Sequence, residues 1–124
     1  RVYSSHLVAY TAFKMLERSK PKLDLYNLLR LSVDDLEIDY EAFKSNFKKL
    51  RKVILKIHAE GNVGVNPRLQ KKAEDAISYG LANVGMYHAK PPLVKIKDKI
   101  VILNPSTLYY YHNRLEGYGL EKHI

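Results

Sequence analysis

The residues of this sequence best suited to proton transfer and metal binding are its five histidines, and their spacing provides neither. They stand at positions 6, 58, 88, 112 and 123. No two are three or four residues apart, so no pair shares one face of a helix as a helix-borne metal site requires. There is no cysteine. That removes thiolate zinc sites, iron–sulfur clusters, disulfides and a cysteine nucleophile together, and it fits a reducing compartment. No Gly-x-Gly-x-x-Gly or Walker sequence cradles phosphate, and no Gly-x-Ser-x-Gly elbow presents a serine. Spacing therefore identifies no catalytic residue, no metal ligand and no cofactor.

Charge is more informative. Lysine and arginine number 21 against 13 aspartates and glutamates, a formal net charge of +8 with a pI near 9.6. Such an excess favours polyanions: nucleic acid, anionic lipid headgroups, or the acidic face of a partner. Two lysine sets stand out. Lys44, Lys48, Arg51 and Lys52 recur at helical spacing on a face turned away from an apolar stripe. Lys95, Lys97 and Lys99 alternate along an extended segment, and period two predicts that they project to one side. Lysines placed there either face an anion or shield an edge strand from other chains.

A third cluster is Tyr109-Tyr110-Tyr111-His112-Asn113-Arg114. Tyrosines supply rigid contact area, and an arginine supplies a planar fork for carboxylate or phosphate. Leu108, Tyr111 and Leu115 have the spacing of core positions. That leaves Tyr109, Tyr110 and Asn113 outside, with Tyr110, Asn113 and Arg114 as a recognition surface.

The elements that must position these groups fit one domain of 124 residues. The longest uncharged stretches, residues 76–89 and 100–113, fall short of the roughly 18 to 20 apolar residues of a membrane span. The sequence opens on Arg1 without a signal segment, which suggests a domain cut from a longer chain. Ser4 or Ser5 can cap a first helix whose Leu7, Tyr10, Phe13 and Leu16 recur along one side, and Pro21 ends it. A short second helix is predicted over residues 23–31. Ser32-Val33-Asp34-Asp35 and Asp39-Tyr40-Glu41 then break and restart the chain. Phe43, Phe47, Leu50, Ile54 and Ile57 mark a third helix, stopped at Gly61.

Asn66-Pro67 starts a fourth helix running to Val84, with small residues that would let another helix approach closely. Pro91-Pro92 forbids helix, and β-branched residues on either side of Lys97-Asp98-Lys99 predict a hairpin. Asn104-Pro105-Ser106 opens a last helix over residues 107–115, and Gly117 and Gly119 end it. The fold class is mainly α with one small β-hairpin, an α+β helical bundle whose element order also admits a winged-helix reading. In that reading Arg68, Lys71 and Lys72 lie near the start of a recognition helix. That helix lacks the Arg, Asn and Gln cluster that would read bases. Nucleic-acid binding therefore stands second, and a plain protein-interaction domain third.

Three segments carry a family resemblance: Ser5-His6-Leu7-Val8-Ala9-Tyr10, Leu25-Tyr26-Asn27-Leu28-Leu29-Arg30-Leu31, and Leu108-Tyr109-Tyr110-Tyr111-His112-Asn113-Arg114-Leu115. Together they resemble the C-terminal region of bacterial glycerol-3-phosphate acyltransferases. That region closes on a short extended apolar segment, then paired tyrosines and an Asn, here residues 99–103 followed by Tyr110, Tyr111 and Asn113. The family's reacting groups are a His and an Asp separated by four residues. At that distance this sequence has Thr11 after His6, Val63 after His58, Leu93 after His88 and Gly117 after His112. The resemblance thus carries over no catalytic residue. It implies an accessory domain that is inactive alone, partnered by the catalytic domain of the same protein and by an anionic phospholipid surface. Its place would be peripheral, on the cytoplasmic side of the membrane.

Overall fold

Residues 7–13 carry no charge, and every one of them is buried. A helix apolar on all sides belongs at the centre of a fold rather than along its edge. Accordingly, α1 (Ser4–Ser19) packs against three other helices; the expected stripe Leu7, Tyr10, Phe13 and Leu16 is buried, and over residues 7–13 burial extends to every side. The computed structural model describes residues 1–31, 36–85 and 90–124. Neither serine caps α1. Tyr3 stands at the N-cap without a side-chain bond, and Ser4 is pressed against Gly80 inside the fold. The chain start is tied down separately: Val2 N–H donates to Gly64 O at 2.8 Å, and Asn66 N–H donates to Val2 O at 2.9 Å.

The second helix is shorter than expected. α2 (Leu25–Leu28) is a single turn capped by Asp24, whose carboxylate accepts the Asn27 N–H at 2.9 Å. Only Leu28 of this turn is buried, too little apolar surface to hold a longer helix. The cap-like run at residues 32–35 lies outside the described residues.

β1 (Glu37–Asp39) leads directly into α3 (Tyr40–Ala59). Asp39 caps α3 by accepting the Ala42 N–H at 3.0 Å, and Tyr40 N–H donates to Asp98 O at 2.8 Å. Phe43, Phe47, Leu50 and Ile54 are buried along α3, with Ile57 half-buried. Gly61 follows with φ +83°, the left-handed conformation that favours glycine past a helix end.

The long fourth helix is in two pieces. Asn66 accepts the Arg68 N–H at 3.0 Å and opens a 3₁₀ turn, Pro67–Gln70. Lys71 is extended (φ −74°, ψ 177°), and α4 (Ala73–Asn83) starts afresh after it. Arg51 of α3 holds this break open by donating to the carbonyls of Leu69 and Lys71, at 3.5 and 2.6 Å.

β2 (Leu93–Ile96) and β3 (Lys99–Ile102) form the expected hairpin. β1 adds a third strand on the far edge of β3, giving an antiparallel sheet in the order β1-β3-β2. α5 (Pro105–His112) follows, capped by Asn104 through the Thr107 N–H at 3.1 Å. The fold is therefore mainly helical with a small antiparallel sheet, an α+β arrangement around one core.

Candidate anion-binding surface

Three elements meet where α3 begins: the start of α4, the end of β2, and α3 itself. Lys44 Nζ lies 2.8 Å from Glu74 Oε1. The hydrogen bond and charge of Lys44, with the charges of Lys95 and Lys48, hold the Glu74 carboxyl below its usual range. The two lysine sets of the sequence thus converge through Lys44, Lys48 and Lys95 around one carboxylate. Glu41 also acts on Lys44, so three ammonium groups meet two carboxylates, and one positive charge is left over for an incoming anion. Lys95 also lies 4.6 Å from the centre of the Tyr40 ring, a cation–π contact that fixes its stem. Burial, followed by the negative charge of Glu74, raises the Tyr40 hydroxyl pKa.

The remaining lysine positions divide. Lys48 and Lys52 are exposed. Arg51 is occupied with the chain break and lies 6.0 Å from the centre of the Phe47 ring, so it fastens α3 rather than facing an anion. Lys52 borders a separate groove of about 690 Å³ with Lys56, Glu60 and His123.

The hairpin lysines do not share a side. Lys95 pairs with Ile100, and Ile96 pairs with Lys99, so Lys95 and Lys99 project to opposite faces. The two-residue turn interrupts the alternation that holds within one strand. Lys97 sits in that turn with φ +55°. Beside the cluster, Lys95 also lines a groove of about 540 Å³ between α4 and β2, whose walls include Leu81, Val84, Leu93 and Val94.

The tyrosine cluster is split between core and surface. Tyr110, Asn113 and Arg114 are exposed as expected. Tyr109 is half-buried instead of outside, its ring 5.1 Å from that of Phe13. His112, at 2% exposure, is a core residue. Its Nδ1 donates to Tyr109 O at 2.9 Å, and its ring stacks on Tyr10 with centroids 5.3 Å apart. Its Nε2 lies 2.7 Å from Glu116 Oε1, a carboxylate also 3.2 Å from Lys14 Nζ.

His58 and His6 are held within the fold as well. His58 Nδ1 donates to Val63 O at 2.8 Å behind α3. Burial, aided by the charge of Arg114, lowers the His6 pKa to about 4. His88 lies outside the described residues. Among the described residues no three His, Asp or Glu side chains gather as metal ligands, and no helix is long and apolar enough to cross a membrane.

Arg68, expected near the start of a recognition helix, lies 4.5 Å from the centre of the Tyr79 ring. Glu74 is the site residue that sequence reasoning missed. Its signal was slight, an acidic pair with Asp75 in the first turn of α4, where the helix dipole favours it. No protein-family model matches this chain, and comparison with curated proteins and solved structures gives no match either.

Proposed function

We propose that this chain is a non-catalytic accessory domain of a glycerol-3-phosphate acyltransferase, which docks on an anionic phospholipid surface and orients or regulates the catalytic domain there. The observation that carries the docking is the convergence of Lys44, Lys48 and Lys95 around Glu74. A phosphate headgroup offers the same chemistry as that carboxylate and more charge, so it competes for the same ammonium groups. A basic residue close to an anionic leaflet contributes about 1 kcal/mol to such attraction, which acts across a Debye length of about 10 Å.

The acyltransferase assignment rests on the resemblance of the three sequence segments. Two of the segments that carry the resemblance lie on α1 and α5, which pack on each other, with Tyr10 stacked on His112. They form one unit rather than scattered similarities. The partner is the catalytic domain of the same protein, and acyl transfer to glycerol 3-phosphate takes place there.

The test is genetic and then biochemical. The coding region upstream of Arg1 is expected to hold a His and an Asp four residues apart. Removal of residues 1–124 from that parent is expected to release it from membranes or lower its activity. An unrelated upstream region, or a truncated parent with unchanged activity and membrane retention, would overturn the assignment.

A further inference from the structure

The connection between α1 and α2 holds an apolar segment that the lysine cluster does not explain. Leu23, Leu25 and Tyr26 are 37%, 41% and 64% exposed within four residues. Every residue from 21 to 27 is exposed, so the segment lies on the surface. Leu28, at 1% exposure, anchors it, and Leu29 and Leu31 pack partly against the core. Single exposed apolar side chains are ordinary on a protein surface, but two leucines and a tyrosine exposed within four residues mark a contact site.

The charges around the segment indicate its partner. Lys20 and Lys22 precede it and Arg30 follows it. The Arg30 guanidinium lies 4.9 Å from the centre of the Tyr26 ring and donates to the Tyr26 hydroxyl. The one acidic residue between positions 20 and 31, Asp24, is exposed with its neighbours and caps the turn. Its carboxylate accepts both the Asn27 backbone N–H and the Asn27 side-chain amide at 2.9 Å. Three cations thus flank an exposed apolar segment against one carboxylate, a net positive border. A bilayer with anionic headgroups is layered in the same way: phosphates at the level of the cations, acyl chains beneath. Tyrosine suits the boundary between them, and long basic side chains reach back to the phosphates.

We infer that residues 20–30 form a wedge, which inserts Leu23, Leu25 and Tyr26 beneath the headgroups of an anionic bilayer while Lys20, Lys22 and Arg30 engage the phosphates. This deepens the docking described above and rests on it: charge draws the chain to the surface, and the wedge holds it there.

The chain has no tryptophan, so Leu25→Trp places a single emitter in the wedge. The full chain carrying it is mixed with vesicles of phosphatidylcholine, with and without phosphatidylglycerol, and with the same lipids brominated in their acyl chains. Insertion predicts a blue shift and quenching by brominated lipid with the anionic vesicles. Adding Leu23→Ser and Tyr26→Ser is expected to weaken vesicle binding by roughly tenfold or more. An unchanged unfolding midpoint shows that these exposed positions leave the fold intact. Should the chain sediment with anionic vesicles while emission stays unshifted and unquenched, the wedge is wrong and docking by charge stands. A chain that ignores anionic vesicles altogether overturns both.

Discussion

Replacing Gly80 with alanine probes the contact that sets α4 against α1, and with it the position of Glu74 one and a half turns earlier. A Cβ built at Gly80 lies 2.6 Å from Val8 Cγ2, 2.8 Å from Ser4 O and 2.9 Å from Ser4 C. Two of these neighbours are backbone atoms, and the third belongs to a fully buried β-branched side chain with little rotamer freedom. None can yield without moving a helix. In an open helix interior the change would stabilise by about 1 kcal/mol. Overpacking costs about 1–3 kcal/mol, and contact with backbone places this site at the upper end. The expected net loss is therefore about 2 kcal/mol, read as a lower urea midpoint at constant slope. Val8→Ala relieves the side-chain contact but not the backbone one. Combined with Gly80→Ala, it should show a coupling of at least about 0.5 kcal/mol in the relieving direction. A Gly80→Ala protein more stable than the wild type, or strict additivity of the two changes, would refute the reasoning.

Three further outcomes are expected. The folded His6 pKa of about 4 lies below the unfolded 6.5, so the folded chain resists a proton that the unfolded chain accepts. Stability is therefore full above pH 6.5, falls as the pH drops toward about 4 and levels off below, whereas His6→Gln flattens that decline; equal slopes in urea titrations of both proteins would contradict it. Asp39→Ala removes the cap of α3 and is expected to cost about 1 kcal/mol in the same assay, with an unchanged midpoint as the contrary result. Lys97→Gly relieves a left-handed residue at φ +55° and is expected to stabilise by about 0.5–1 kcal/mol; a loss of stability would show that the lysine side chain supports the turn.

How far the sequence anticipates this fold depends on the range of the forces involved. α3 is legible because its buried face repeats over many turns, and both of its ends carry local signals, Asp39 and Gly61. The hairpin is legible from local composition, β-branched residues on either side of Lys97-Asp98-Lys99. β1 is not, since three residues are too few to display a period of two and its first and last residues, Glu37 and Asp39, are acidic. The break at Lys71 is invisible because the bonds that hold it come from Arg51, 20 residues earlier. Burial of residues 7–13 on every side follows from their lack of charge, but a search for one apolar stripe passes over it.

The same limit applies to the site. The lysines are legible as types and spacings. Their convergence is not, because Lys44 and Glu74 are 30 residues apart and meet only through tertiary packing. Likewise His112 reads as part of an exposed aromatic cluster until Tyr10 and Phe13 of α1 close over it.

Vesicle sedimentation of the whole chain beside Lys44→Gln/Lys48→Gln/Lys95→Gln tests the central claim most directly. The chain is expected to sediment with phosphatidylglycerol vesicles and to leave phosphatidylcholine vesicles in the supernatant, less strongly as salt rises. The triple variant should bind the anionic vesicles roughly a hundredfold more weakly at low salt, with its fold unchanged. Equal binding to both lipids, or a triple variant that binds like the parent chain, would contradict the account.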